Sequence, residues 1–186
     1  MDLKAKSEAL KRNQERTIAA LRRKADLGRG TRTTVVSASG DLTCRIEDEN
    51  WKFTADLDSS LGGEGAGPDP GTLGRAALGS CLAISYLLWA ARLEIPVDNV
   101  EVVVESDFDV RGRLAVDPDL TPGWHRLRYT AYIDSSAPTE KLEELFRIAD
   151  AHSPLLDDFV RSVPAEGKLV VGTRERGRTG EPVVVE

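Results

Sequence analysis

The chain has 186 residues, 40% hydrophobic and 30% charged, the balance of a soluble globular protein and the length of one domain with short appendages. Its net charge of −6 argues against a nucleic-acid partner. Its two cysteines, Cys44 and Cys81, exclude a disulfide framework and, without a CxxC or a His cluster, a metal centre. The opening residues form no apolar signal segment, and the uncharged run Ala76–Ala91 is shorter than the roughly 20 residues of a membrane span, so a cytoplasmic protein without a membrane partner is expected.

Residues 3–26 read as a charged helix with few large apolar positions, Leu3, Leu10, Ile18 and Leu21, an i,i+4 pair at Glu8 and Arg12, and Gly28 and Gly30 to end it. Residues 1–29 carry nine Lys/Arg and four Asp/Glu, a net of +5 that leaves −11 for the rest. Such a helix is an appendage that packs on the body or on a partner.

From Thr33 to Leu57 the hydrophobic period becomes two. "TTVVSAS", "DLTCRIE" and "WKFTADL" are expected strands separated by turns at Ser39-Gly40-Asp41 and Asp48-Glu49-Asn50. In the second strand Leu42, Cys44 and Ile46 share the inward face, opposite Arg45, so Cys44 reads as a core thiol. "SSLGGEGAGPDPGT", residues 59–72, is a glycine- and proline-rich loop without the GxxxxGK[ST] or GxGxxG order of a phosphate cradle. Thr72 is its expected helix cap.

The helix expected from Leu73 to Leu93 is apolar nearly all round, with Gly74, Gly79 and Ser80 small enough for a close backbone approach. A helix of this kind must be enclosed on every side, which a chain of this size struggles to do alone and a dimer achieves. It carries Cys81, either a reactive sulfur in a dry pocket or a small apolar residue filling space, and periodicity does not choose between them.

Strands are expected at 98–110, with Val100, Val102 and Val104 inward, and at 126–134, with Leu127, Tyr129, Ala131 and Ile133 inward. Pro138 and Glu140 open a helix with Leu142, Leu145, Phe146 and Ala149 on its buried face. Ser153-Pro154 starts another, Ser at the N-cap and Pro at N1, with Leu155, Leu156, Phe159 and Val163 buried. "KLVVG", residues 168–172, is expected as a last core strand, and Val183–Val185 as a short strand in a charged tail. The implied organisation is a helical extension (1–30), one domain (31–173) and a tail (174–186). Runs of strands followed by helices make the fold class α+β. Trp51, Phe53, Tyr86, Trp89 and Phe146 are the large rings of its core or pocket. No GxSxG occurs, and Ser80, Ser153 and His125 form no hydrolase pattern.

The loop "LGGEGAGPDP", the helix "LGRAALGSCLAIS" and the later "ELFRIADAHSPL", in that order and spacing between Thr33 and Val171, resemble the OsmC/Ohr superfamily of osmotically inducible and organic-hydroperoxide-resistance proteins. The resemblance implies an intertwined homodimer whose antiparallel sheets wrap two long central helices. It also implies thiol peroxidase chemistry without cofactor or metal. A cysteine on the central helix reduces an organic hydroperoxide and becomes a sulfenic acid, a second cysteine at a Cys-Pro helix start resolves it, and an Arg and a Glu activate the first thiol.

Cys81 stands where the reactive cysteine stands, but the resolving position is Ser153 and the expected glutamate position is Gly71. Arg45 is the nearest basic side chain to the expected arginine, and Arg75 precedes Cys81 on its own helix. His152, beside Ser153, is a candidate base, since Cys–His pairing activates thiols. Two readings follow. One is a one-cysteine peroxidase with Cys81 as nucleophile, assisted by His152 and Arg45 and dependent on an external thiol reductant. The other is a non-catalytic dimer whose pocket binds a small apolar molecule, with Cys81 as core filler; in the peroxidase reading Cys44 is a conceivable substitute resolver.

Overall fold

A helix of 21 residues, α1 (Leu3–Arg23), opens the structure, a computed structural model that describes residues 3–172. None of its residues is buried. Ser7, Lys11, Gln14, Ile18 and Leu21, a stripe at helical spacing, are half-buried against the body. Lys11 pairs with Glu94, and the Gln14 amide donates to the Leu88 carbonyl at 2.9 Å. The appendage thus packs on its own chain.

A short 3₁₀ turn (Ala25–Gly28) leads to an antiparallel meander, β1 (Val35–Ala38), β2 (Cys44–Asp48) and β3 (Trp51–Ala55), in the order β1-β2-β3. Alternation holds in β2: Ile46 is buried, Cys44 half-buried and Arg45 exposed. Leu42, expected on the inward face, falls outside the strand and is exposed. Trp51 (76% exposed) and Phe53 (46% exposed) likewise line no core within the chain.

The central helix α2 (Pro70–Leu93) begins three residues earlier than its apolar pattern indicates. Asp69, not Thr72, is the N-cap: its Oδ1 accepts the main-chain N–H of Gly71 at 2.8 Å and of Thr72 at 3.2 Å, with Pro70 at the first helical position. Thr72 donates its hydroxyl to Asp69 Oδ2 at 2.5 Å, and Arg75 Nη2 in turn donates to Thr72 at 3.0 Å.

Beyond α2, β4 (Asn99–Phe108) and β5 (Trp124–Asp134) form a second, two-stranded antiparallel sheet with Val102 opposite Ala131 and Val104 opposite Tyr129. Their connection, expected as plain loop, contains a short helix, α3 (Val110–Arg113), capped by Asp109. Two helices, α4 (Thr139–Ala151) and α5 (Pro154–Val160), close the domain.

The core sits where α2 meets this hairpin and α4. Leu78, Leu82 and Tyr86 of α2 and Ala149 of α4 are fully enclosed, packed against the inward valines of β4 and the inward face of β5. Each such leucine contributes about 2 kcal/mol by leaving water. Gly74 is required for this fit, because a Cβ there would stand 2.9 Å from the Trp124 ring. Phe146 and Phe159, expected buried, are 39% and 44% exposed, Phe159 stacking on Trp124, and Val163 is exposed beyond the end of α5 at Val160.

α2 is long and apolar enough, by length and composition, to cross a bilayer, yet only 33% of that apolar window is buried within the chain. Ala76, Ala77, Ser80, Ile84 and Leu87 form a continuous exposed stripe along it. Lys168 to Gly172, expected as a core strand, forms no ladder, with Leu169, Val170 and Val171 all exposed. It joins neither of the two sheets among the described residues. The strand expected at Val183–Val185 and the tail from residue 174 lie outside the described residues.

Candidate functional site around Cys81

Cys81 lies midway along α2, half-buried, with its Sγ 3.5 Å from the hydroxyl of Ser153. The local sequence by itself assigns that hydroxyl to a helix cap. Ser153-Pro154 starts α5, and a serine at the N-cap ordinarily turns its side chain back to accept from the first turn of its helix. Ser153 does not: it makes no capping hydrogen bond and, 1% exposed, aims Oγ at the sulfur. Two side chains 72 residues apart thus form one partly buried S–H/O–H pair, in which either atom can donate.

The end of α4 sets the height of Ser153. The Ser153 N–H donates to the Asp150 carbonyl and the His152 N–H to the Ala149 carbonyl, both at 3.2 Å. Asp150 itself is held by two phenols: Tyr86 of α2 donates to Oδ1 at 2.6 Å, and Tyr129 of β5 donates to Oδ2. Burial, reinforced by the bond to Asp150, pushes both tyrosine pKa values well above the usual range, so both remain neutral donors. Phe146 stacks on the Tyr86 ring at 5.8 Å and on the Tyr129 ring at 6.3 Å.

The glycine-rich loop before α2 is organised by a second carboxylate. Asp56, 2% exposed, accepts the main-chain N–H groups of Leu57 (2.7 Å), Ala66 (3.0 Å) and Glu64 (3.1 Å), and the Thr43 hydroxyl at 3.2 Å. These bonds, that from Ala66 first, hold its carboxyl below the usual carboxylate range. Gly67 brings the loop against β3 so closely that a Cβ would stand 2.4 Å from the Thr54 carbonyl oxygen. The loop spends its donors inward, on Asp56, which agrees with the absence of a phosphate-cradle sequence.

Within this geometry a family model described as OsmC-like protein matches residues 63–167, which carry the end of the loop, Cys81, Asp150 and Ser153. The chain belongs to the OsmC-like family. Among solved structures it is similar to an OsmC-like protein from Mycoplasma pneumoniae, with 13% identity, 70% of this chain and 88% of that chain covered, and a TM-score of 0.61. It is similar to an OsmC-like protein of unknown function from Vibrio cholerae, with 15% identity, 69% and 93% coverage, and a TM-score of 0.56. It is also similar to an organic hydroperoxide resistance protein OsmC from Legionella pneumophila, with 20% identity, 72% and 93% coverage, and a TM-score of 0.52. At these identities the likeness is one of fold. No curated protein matches the chain.

Among the described residues, no hydrogen bond or ion pair joins the other residues singled out from the sequence to the sulfur of this OsmC-like site. The His152 ring is exposed and packs on Trp89, 4.8 Å between centroids and two turns along α2 from Cys81, while its Nδ1 lies 2.8 Å from the Ile148 carbonyl. Adjacency in sequence to Ser153 does not carry the imidazole to the thiol, because the two side chains leave the backbone in different directions at the helix break. Arg45 stands on the exposed face of β2, and no hydrogen bond or ion pair among the described residues joins it to Cys81. Cys44 is paired in register with Ala38 and Ala55, and both thiols are free. Arg75 donates to Ser106 at 3.2 Å as well as to Thr72, which ties the start of α2 to β4. Gly71, at the position expected for a glutamate, gives its N–H to the Asp69 cap.

Asp150 and Asp56 are the polar centres that the sequence reading missed. Asp150 follows the apolar face of α4 by one position and reads there as an ordinary helix-end acid, and Asp56 reads as a strand terminus. Only the spacing Asp150–Ser153, one helical turn, carried a signal.

Proposed function

We propose that the chain is a stress-defence protein of the OsmC-like family that reduces organic hydroperoxides through Cys81 alone, at the expense of an external thiol. The pairing of Cys81 with Ser153, a helix-start serine whose hydroxyl is released from capping and set 3.5 Å from the sulfur, carries the reading. In this scheme the Cys81 thiolate attacks one oxygen of ROOH. The S–O bond forms as the O–O bond breaks, and the alkoxide leaves as ROH after taking a proton. The Cys81 sulfenic acid then condenses with an external thiol, water leaves, and a second thiol displaces the mixed disulfide to restore Cys81. The Ser153 hydroxyl can donate to the thiolate and then to the sulfenic oxygen, but it cannot close a disulfide.

A brief exposure to an organic hydroperoxide with a sulfenic-acid trap, read by intact-protein mass, is expected to give one adduct on wild type and none on Cys81→Ser. Modification no faster than that of a free cysteine would end the peroxidase reading. It would leave the dimer with an apolar pocket as the function, Cys81 then being packing.

The working form in this proposal is a cytoplasmic homodimer. The exposed stripe Ala76, Ala77, Ser80, Ile84 and Leu87 on α2, and the unladdered apolar segment 168–172, support it: both are surfaces that a second copy would bury. Light scattering is expected to give twice the chain mass, and Ile84→Glu, a charge in the middle of that stripe, is expected to shift the protein toward monomer. A monomeric wild type would refute the arrangement.

A further inference from the structure

We infer that Asp150 is the positioning residue of the Cys81 site, holding the Ser153 side chain opposite the sulfur through the clamp made by Tyr86 and Tyr129. The inference rests on the reading of Cys81 and Ser153 as the working pair. The geometry is a closed circuit of contacts. Cys81 and Tyr86 are rigidly related because both stand on α2, five residues apart, a rise of about 7.5 Å along a helix axis. Tyr86 bonds the Asp150 carboxylate at 2.6 Å, the Asp150 carbonyl takes the Ser153 N–H at 3.2 Å, and Ser153 Oγ returns to Cys81 Sγ at 3.5 Å.

One side of this circuit is weak without the carboxylate. α4 ends at Ala151, His152 breaks the helix, and only i,i+3 main-chain bonds bridge the break; the Ser153 carbonyl accepts the Asp157 N–H of α5 at 3.0 Å, so no i,i+4 ladder continues from α4 to set the height of Ser153 against α2. The carboxylate supplies the missing reference by tying the last turn of α4 to α2 and β5 at once. Tyr86 is 0% exposed and Phe146 lies over both phenol rings, so the clamp works where water competes poorly. The phenols reach Asp150 from two different elements, which fixes it against rotation about either bond. A side chain used only to satisfy buried polarity would need neither the second phenol nor the placement one turn ahead of Ser153.

The full-length Ser153→Cys protein, reduced, provides a ruler, because the rate at which its two facing thiols close to a disulfide reads their mutual placement. Closure is driven in one arm by an organic hydroperoxide and in the other by diamide, which oxidises paired thiols without O–O chemistry. Adding Asp150→Ala is expected to slow diamide-driven closure about tenfold or more, and adding Tyr129→Phe about threefold, since small misplacements of reacting groups carry large rate penalties. Alkylation of Cys81 by iodoacetamide, which needs no partner, is expected to change less than twofold on the same principle. Asp150→Asn, whose amide can accept from one phenol and donate to the other, is expected to restore closure. Unslowed closure in Asp150→Ala, or in Tyr129→Phe should Asp150→Ala not fold, would overturn the inference, as would an Asp150→Asn protein as slow as Asp150→Ala. Closure with diamide but not with hydroperoxide would remove the peroxidase reading and leave the positioning role standing.

Discussion

Ser153→Cys is expected to convert a one-thiol site into one that seals itself. Sγ of Cys81 and Oγ of Ser153 are 3.5 Å apart, and a disulfide needs about 2.04 Å. The difference of about 1.5 Å is within the reach of modest side-chain rotations at both ends. After reaction with a hydroperoxide, the thiolate introduced at position 153 attacks the Cys81 sulfenic sulfur, the S–S bond forms, and water leaves. Trap labelling should therefore collapse, while the intact mass shows the loss of two hydrogens relative to the reduced protein. Turnover with a dithiol reductant should rise by about an order of magnitude or more, because resolution becomes intramolecular. The same substitution in Cys81→Ser should give no internal disulfide. If the trap adduct of Ser153→Cys persists with no disulfide formed, the two side chains do not face each other in solution, and the site as described is wrong.

The largest expected effect on stability belongs to Asp56→Ala. The carboxylate is the common acceptor for three main-chain N–H groups and the Thr43 hydroxyl. Truncation leaves those donors without their shared partner, and buried donors without partners are costly. Thermal melting should fall by several degrees, and the loop from Leu57 to Ala66 should become the first site of proteolysis. Asp56→Asn keeps one oxygen but loses the charge, and should fall between.

The pH dependence follows from the direction of the shift. The folded-state pKa of Asp56 lies below its unfolded value, chiefly because of the Ala66 N–H. Its contribution is therefore fully present above the unfolded carboxylate value of about 3.9 and is lost as pH falls through the folded value. Wild type and Asp56→Ala should converge in melting temperature as the solution is acidified below that window. Parallel melting curves across the whole range would show that the carboxylate is not the organiser of the loop.

Much of this fold was legible because the hydrophobic period is unambiguous. Alternation in Val100, Val102 and Val104 and in Leu127, Tyr129, Ala131 and Ile133 placed β4 and β5, and both faces are half-buried against the core cluster. The helix start at Ser153-Pro154 was equally plain. The start of α2 was misplaced, at Thr72 instead of Asp69, because the apolar pattern begins only at Leu73 whereas a cap is chosen by local hydrogen bonding. The strand expected at 168–172 failed for a different reason: a strand is a property of a pair of segments, and apolar composition says nothing about where the partner edge is.

At the site, the order of motifs characteristic of the OsmC-like family set Ser153 opposite Cys81, and the two side chains stand 3.5 Å apart. The sequence pointed to His152 for the wrong physical reason, since neighbours along the chain at a helix break need not share a direction. It was silent on Asp150, whose importance lies in two tyrosines 64 and 21 residues away.

By itself, then, the sequence determined the α+β class, the apolar central helix with its single thiol and the helix start at Ser153-Pro154, because these depend on periodicity and on residues within a few positions of one another. The tertiary structure alone decided that Ser153 turns its hydroxyl away from capping and onto Cys81, that Asp150 is clamped between α2 and β5, that Asp56 gathers the glycine-rich loop, and that the first helix lies along α2. Each of those is a contact between segments far apart in the chain, and such contacts are set by how the elements pack, which no local pattern records.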